Sequence, residues 1–121
     1  MLFELSIIPL GCEAHWSDLL AEALKLVDAS GLPYQLTPSS TCIEGEWDEV
    51  MPLVRRCHDR FRQGSAHVIT TIKVEDERGA VDQLRRNIAS VEEKLGRPLR
   101  RLDPRGPQSQ PTGERSAAGG A

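Results

Sequence analysis

The chain has 121 residues, 39% apolar and 4% aromatic, with 15 basic against 18 acidic side chains for a net charge of −3. That is length for one domain with a modest core, and the charge balance argues against a nucleic-acid binder built on bulk positive charge. No apolar run reaches the ~20 residues of a membrane helix. Met1–Glu4 lacks the positive and then apolar pattern of a secretory signal. Three cysteines (Cys12, Cys42, Cys57) without CxxC spacing point to neither a disulfide framework nor a zinc knuckle. A reduced, cytoplasmic protein without cofactor, nucleic-acid partner or membrane contact is expected.

In chain order, Leu2 to Pro9 alternates, with Phe3, Leu5 and Ile7 on one face and Glu4, Ser6 and Ile8 on the other, which predicts a strand with one buried face, ended by Pro9 and Gly11. Ser17 is the expected N-cap of a helix carrying Leu19, Leu20, Ala23, Leu24 and Val27 and stopped by Gly31. Two short strands, Tyr34–Thr37 and Thr41–Ile43, flank the turn-like triplet Pro38–Ser40. Val50, Leu53, Val54, Cys57 and Phe61 form a second helical stripe ending at Gly64. Pro52 belongs in that helix's first turn, so it is expected to start between Trp47 and Glu49. His67–Glu75 is dense in β-branched residues and reads as a strand. Val81, Leu84, Ile88, Val91 and Leu95 predict a third helix, closed by Gly96 and Pro98.

The order strand, helix, strand, strand, helix, strand, helix predicts an α+β fold. It is a ferredoxin-like βαββαβ sandwich with an added C-terminal helix, over residues 1–102. From Asp103 to Ala121 there is no aliphatic core former or aromatic, and Pro104, Pro107 and Pro111 punctuate the run, so 103–121 is expected to be a disordered Pro/Gly-rich tail. Two helices would cover one sheet face and leave the other open. That open face would present Glu4, Ser6, Ile8, Thr71 and Lys73, with Thr37 or Thr41 nearby depending on register. Such a mixture suits a subunit interface or the floor of a small-molecule site.

Three stretches carry a resemblance: Glu4–Gly11 (ELSIIPLG), Gly31–Pro38 (GLPYQLTP) continuing to Thr41 and Glu44–Gly45, and Val68–Arg78 (VITTIKVEDER). Together, in order and spacing over residues 1–95, the chain resembles the small thiamine-binding protein family, formerly a domain of unknown function. The resemblance implies a ferredoxin-like fold and self-association into dimers or tetramers through stacked sheet faces. It also implies non-catalytic binding of thiamine or its hydroxymethylpyrimidine half, as carrier, buffer or sensor. Where members of that family carry Met-Gly after the Thr-Pro, this chain has Ser39-Ser40.

A pyrimidine needs an apolar slot, hydroxyls for its ring nitrogens and a carboxylate or amide for its exocyclic amine. Ser6, Thr37, Thr41 and Thr71 could supply hydroxyls, against the plainer reading of β-propensity and cross-strand Thr pairing. Ile8 lies beside them. Glu44 could accept from an amine or serve as a helix cap. Lys73 could contact the ligand or pair with Glu4 across the strands. Cys57 reads as a small buried hydrophobe, and no Cys/His or Ser/His/Asp order supports a nucleophile. Cys12 and His15 have a ligand-like gap but no second pair to complete a metal site. Trp16, Tyr34 and Trp47 read as packing at element ends or as stacking surfaces. Two alternatives stay open: a small oligomeric enzyme acting on a pyrimidine-like metabolite, and a purely structural oligomerisation module.

Overall fold

A computed structural model describes residues 1–11 and 15–100. Cys12 and the tail at 103–121 lie outside the described residues. Contacts divide the chain into a unit Met1–Ser90 and a second unit beginning at Val91. The elements are β1 (Leu2–Leu10), α1 (Trp16–Ala29), β2 (Tyr34–Leu36), β3 (Thr41–Glu44), α2 (Trp47–Gly64), β4 (His67–Glu75) and α3 (Gln83–Leu95). The sheet order is β2-β3-β1-β4, and every neighbouring pair is antiparallel. β1 and β2 therefore run parallel with β3 between them, and β3 and β4 run parallel with β1 between them. These are the two interleaved split βαβ units that the element order predicts.

The core follows the alternation of β1. Phe3, Leu5 and Ile7 are buried against Leu19, Ala23 and Val27 of α1 and Val50, Leu53, Val54, Cys57 and Phe61 of α2, with Ile43 of β3. Phe3 meets Trp47 edge-on, with ring centroids 5.4 Å apart. In the register, Phe3 stands opposite Val74 and Leu5 opposite Ile72, so those β4 residues share the helix-covered face. Glu4, Ser6 and Ile8 stand opposite Lys73, Thr71 and Ile69 on the open face, as the alternation predicts.

Several local expectations change. The N-cap of α1 is His15, whose carbonyl accepts from the Asp18 N–H at 3.0 Å, while Ser17 lies in the first turn and meets His15 Nδ1 at 2.8 Å. α2 begins at Trp47 with a capping box between Glu46 and Glu49, so Pro52 falls in its second turn, where its missing N–H removes a bond the Asp48 carbonyl would accept. Val81 lies before α3, not in it. Pro9 does not end β1, which continues to Leu10. The reason is topological. β3 pairs with β1 only over Leu2–Leu5, so beyond Leu5 β1 has a neighbour on the β4 side alone. The Ile7 carbonyl accepts from Trp16 Nε1 at 3.3 Å, on the side away from β4. Strand parity turns the Pro9 nitrogen the same way, so its missing donor takes no bond from the β4 ladder.

In the second unit, α3 closes in a Schellman motif. Gly96 has φ 72°, its N–H reaches the Glu93 carbonyl at 3.2 Å, and the Arg97 N–H reaches the Glu92 carbonyl at 3.3 Å. A single residue of α3, Gln83, is buried among the described residues. Among those residues no helix is long and apolar enough to cross a membrane.

Cys57 is the small buried hydrophobe that the stripe predicts. It is fully buried, its thiol donates to the Ala23 carbonyl at 3.6 Å, and burial pushes its pKa up to about 11. In native protein at pH 8.5 Cys57 is expected to resist iodoacetamide and to react only on unfolding, as mass spectrometry of quenched samples would show. The unfolded thiol ionises near 9.0 while the folded one stays protonated, so the unfolded state binds fewer protons between those values. Stability is then full below about pH 9 and falls as pH rises through about 11. Cys42, raised first by burial and then by the Glu4 carboxylate, adds to the same trend.

Candidate functional site

The early departure of β3 from β1 opens a gap in the sheet. It is a pocket of about 210 Å³, lined by Ser6, Ile7 and Ile8 of β1, Trp16 and Leu20 of α1, and the β2–β3 connection from Leu36 to Thr41. Residues of both sheet faces reach it because no strand fills the place beside Ser6–Ile8. The Trp16 indole, 45% exposed, is fixed there by its bond to the Ile7 carbonyl, and strand parity directs the Ile7 N–H to the same side. The other wall is a tight turn. The Thr37 N–H donates to the Ser40 carbonyl at 2.8 Å, and the Thr37 hydroxyl accepts from the Ser40 N–H at 3.0 Å and meets the Ser40 hydroxyl at 3.0 Å. Ser39-Ser40 thus forms a closed turn, and Thr37 is spent largely on holding it.

Of the sequence-predicted residues, Ser6, Ile8, Thr37 and Thr41 come together at this gap, while Glu44, Thr71 and Lys73 do not. The register resolves Thr41. It pairs with Leu5 and so lies on the helix-covered side, 4% exposed, its edge reaching the pocket. Thr71 and Lys73 lie on the open face beyond β1, and Lys73 stands opposite Glu4 without an ion pair between them. Trp16 was named from the sequence as packing or a stacking surface without being placed at this gap, and Leu20 and Ser40 as pocket walls were not legible there. Only the fold brings the first turns of α1 beside the β2–β3 turn.

Glu44 has a different task. Its carboxylate accepts from the backbone N–H groups of Gln83 at 2.9 Å and Leu84 at 3.2 Å, capping α3 from 39 residues away. A carboxylate there satisfies two orphan donors and meets the positive end of the helix dipole. Glu44→Ala is expected to lower stability by about 1–2 kcal/mol and to reduce helical circular dichroism. It should leave ligand titrations at the gap unchanged.

The pocket is apolar with hydroxyl and backbone groups at its edges, and among the described residues no charged side chain lines it. Its volume is below the ~300–1,000 Å³ of sites for drug-sized molecules. Such a site has room for one flat ring with hydrogen-bonding edges, and its described lining holds no cation to meet a phosphate.

A family model described as "Thiamine-binding protein" matches residues 3–92. The UPF0045 protein of Methanothermobacter thermautotrophicus is 37% identical over 95 residues, covering 76% of this chain and 96% of that protein. A UPF0045 protein of Mycobacterium tuberculosis is 35% identical over 99 residues, covering 81% and 97%. Among solved structures, a hypothetical protein from Methanocaldococcus jannaschii matches with TM-score 0.69 at 23% identity, over 76% of this chain and 95% of that one. A Thermotoga maritima protein, named as a candidate thiamine biosynthesis or salvage protein, matches with TM-score 0.60 at 19% identity, over 78% and 94%. Both share the α+β fold described above.

Proposed function

Because the chain belongs to the thiamine-binding protein family, we infer that the gap beside β1 binds the aminopyrimidine ring of thiamine or free hydroxymethylpyrimidine, without catalysis. The observation that carries this reading is the uncharged, single-ring pocket with Trp16 as one wall and hydroxyls at its rim. An aminopyrimidine presents two flat faces for an indole, a ring nitrogen for a hydroxyl or N–H donor, and an exocyclic amine for a carbonyl or hydroxyl acceptor. The thiazolium cation and any phosphate would stay outside, since the described lining offers neither a counter-charge nor a phosphate cradle.

Isothermal titration of the whole chain with hydroxymethylpyrimidine, thiamine and thiamine diphosphate tests this. Saturable binding of the first two at similar micromolar affinity, with the diphosphate no tighter, is expected. No heat from either of the first two, on protein shown to be folded, would overturn the reading. Product formation during the titration would favour the enzyme alternative.

Self-association into a dimer or tetramer belongs to the same reading. The cross-strand pair Ile8–Ile69, both nearly half exposed, and Leu10 next to it make an apolar area on the open face. Light scattering should give a mass above that of one chain, reduced by Ile69→Asp.

A further inference from the structure

A second cleft, of about 370 Å³, lies between the loop at 77–81 and the first two turns of α3, wholly inside the Met1–Ser90 unit. In contrast to the gap beside β1, it carries charge and an unmet hydrogen-bonding group. Gln83, the first residue of α3, lines it. This side chain is only 3% exposed, and neither Oε1 nor Nε2 of its carboxamide has a partner. Buried amides are ordinarily satisfied at both donor and acceptor, so an unpartnered carboxamide on a residue of the cleft wall marks a place where a turn of the side chain would present both ends to a complementary edge. The helix end itself is not on offer, because Glu44 already holds the Gln83 and Leu84 N–H groups. Arg78 and Arg86 bring two positive charges to the lining and Glu77 removes one, leaving a net charge of one.

We propose that this cleft binds a small monoanion carrying a lactam or amide edge, its anionic group held by Arg78 and Arg86 and its edge paired with the Gln83 carboxamide. Guanidinium groups favour a carboxylate, and a single net positive charge suits a carboxylate better than a phosphate dianion. Asn87 and Ser90, also in the lining, extend the hydrogen-bonding surface.

Orotate, which joins a carboxylate to a lactam ring, is the probe, with uracil as the same ring without the anionic group and inorganic phosphate as a rival anion. Titrating the ¹⁵N-labelled full chain is expected to give saturable shifts of the Gln83 side-chain amide and of the Gly79 and Asn87 backbones. Uracil and phosphate should each bind at least tenfold more weakly than orotate. Arg86→Ala, at an exposed position, and Gln83→Leu, which removes the amide while keeping an apolar bulk, are each expected to weaken orotate at least tenfold. Should Gln83→Leu fail to fold, Arg86→Ala and the orotate-to-uracil ratio decide. Failure of orotate to bind at millimolar concentration, phosphate binding as tightly as orotate, or affinity unchanged by Arg86→Ala would each overturn the proposal. Shifts confined to Ser6 and Trp16 would also overturn it, and would assign orotate to the other pocket. The proposal stands apart from the aminopyrimidine reading, whose own titration reports at a different end of the sheet.

Discussion

Phe3→Ala is expected to lower the unfolding free energy by about 3–5 kcal/mol, against a total of roughly 5–15 kcal/mol for a domain. Phe3 is fully buried in the strand that two others pair with, between Ile43 on one side and Val74 on the other, and its ring meets Trp47 edge-on. Truncation removes the transfer energy of the ring, leaves a cavity where two helices meet the sheet, and deprives Trp47 of its partner. Urea denaturation followed by circular dichroism measures the loss. Phe3→Leu, which refills most of the volume, should recover more than half of it. A loss below about 1 kcal/mol for the alanine variant would mean that the core is not centred on β1, since even ordinary core truncations exceed that.

The second large effect falls on binding. Trp16→Ala is expected to weaken hydroxymethylpyrimidine by about 10–100-fold, since loss of ring stacking on an aromatic side chain is worth about 1–3 kcal/mol. Stability should change little, because the indole is 45% exposed and makes one hydrogen bond, to the Ile7 carbonyl. Trp16→Phe separates the two contributions, keeping a stacking face and losing the Nε1 donor, and should fall between the other two proteins. Calorimetric titration of the three reads the order directly. Equal affinity for wild type and Trp16→Ala would remove the ligand from the gap.

Much of the fold was legible because β1 alternates, β4 is dense in β-branched residues and the helices carry one apolar stripe each. Period two and period 3.6 are local signals, and they placed Phe3, Cys57 and Phe61 in the core from neighbours alone. What was not legible depended on partners remote in sequence. Pro9 reads as a strand end, yet it is tolerated because β3 stops pairing at Leu5. Glu44 reads equally as ligand or cap, and its targets lie 39 and 40 residues onward. Thr41 could face either way until register fixed it opposite Leu5. The candidate site was half visible. Ser6, Ile8, Thr37 and Thr41 were named from strand faces and resemblance, but Trp16 joins them only through the way α1 leaves β1.

The order of strands also bears on how the chain is made. β1 is translated before every element it pairs with, and its longest ladder joins Leu2 to Glu75. A ribosome adding about 5–20 residues per second leaves Phe3, Leu5 and Ile7 without the β4 ladder for several seconds. Pairings of such sequence separation form slowly, because loop closure precedes their reward. An apolar strand with open edges is the template other chains can join. Aggregation during synthesis should therefore rise when translation is slowed after β1 has emerged from the ribosome and before β4 has, and stay unaffected by pauses once β4 is outside.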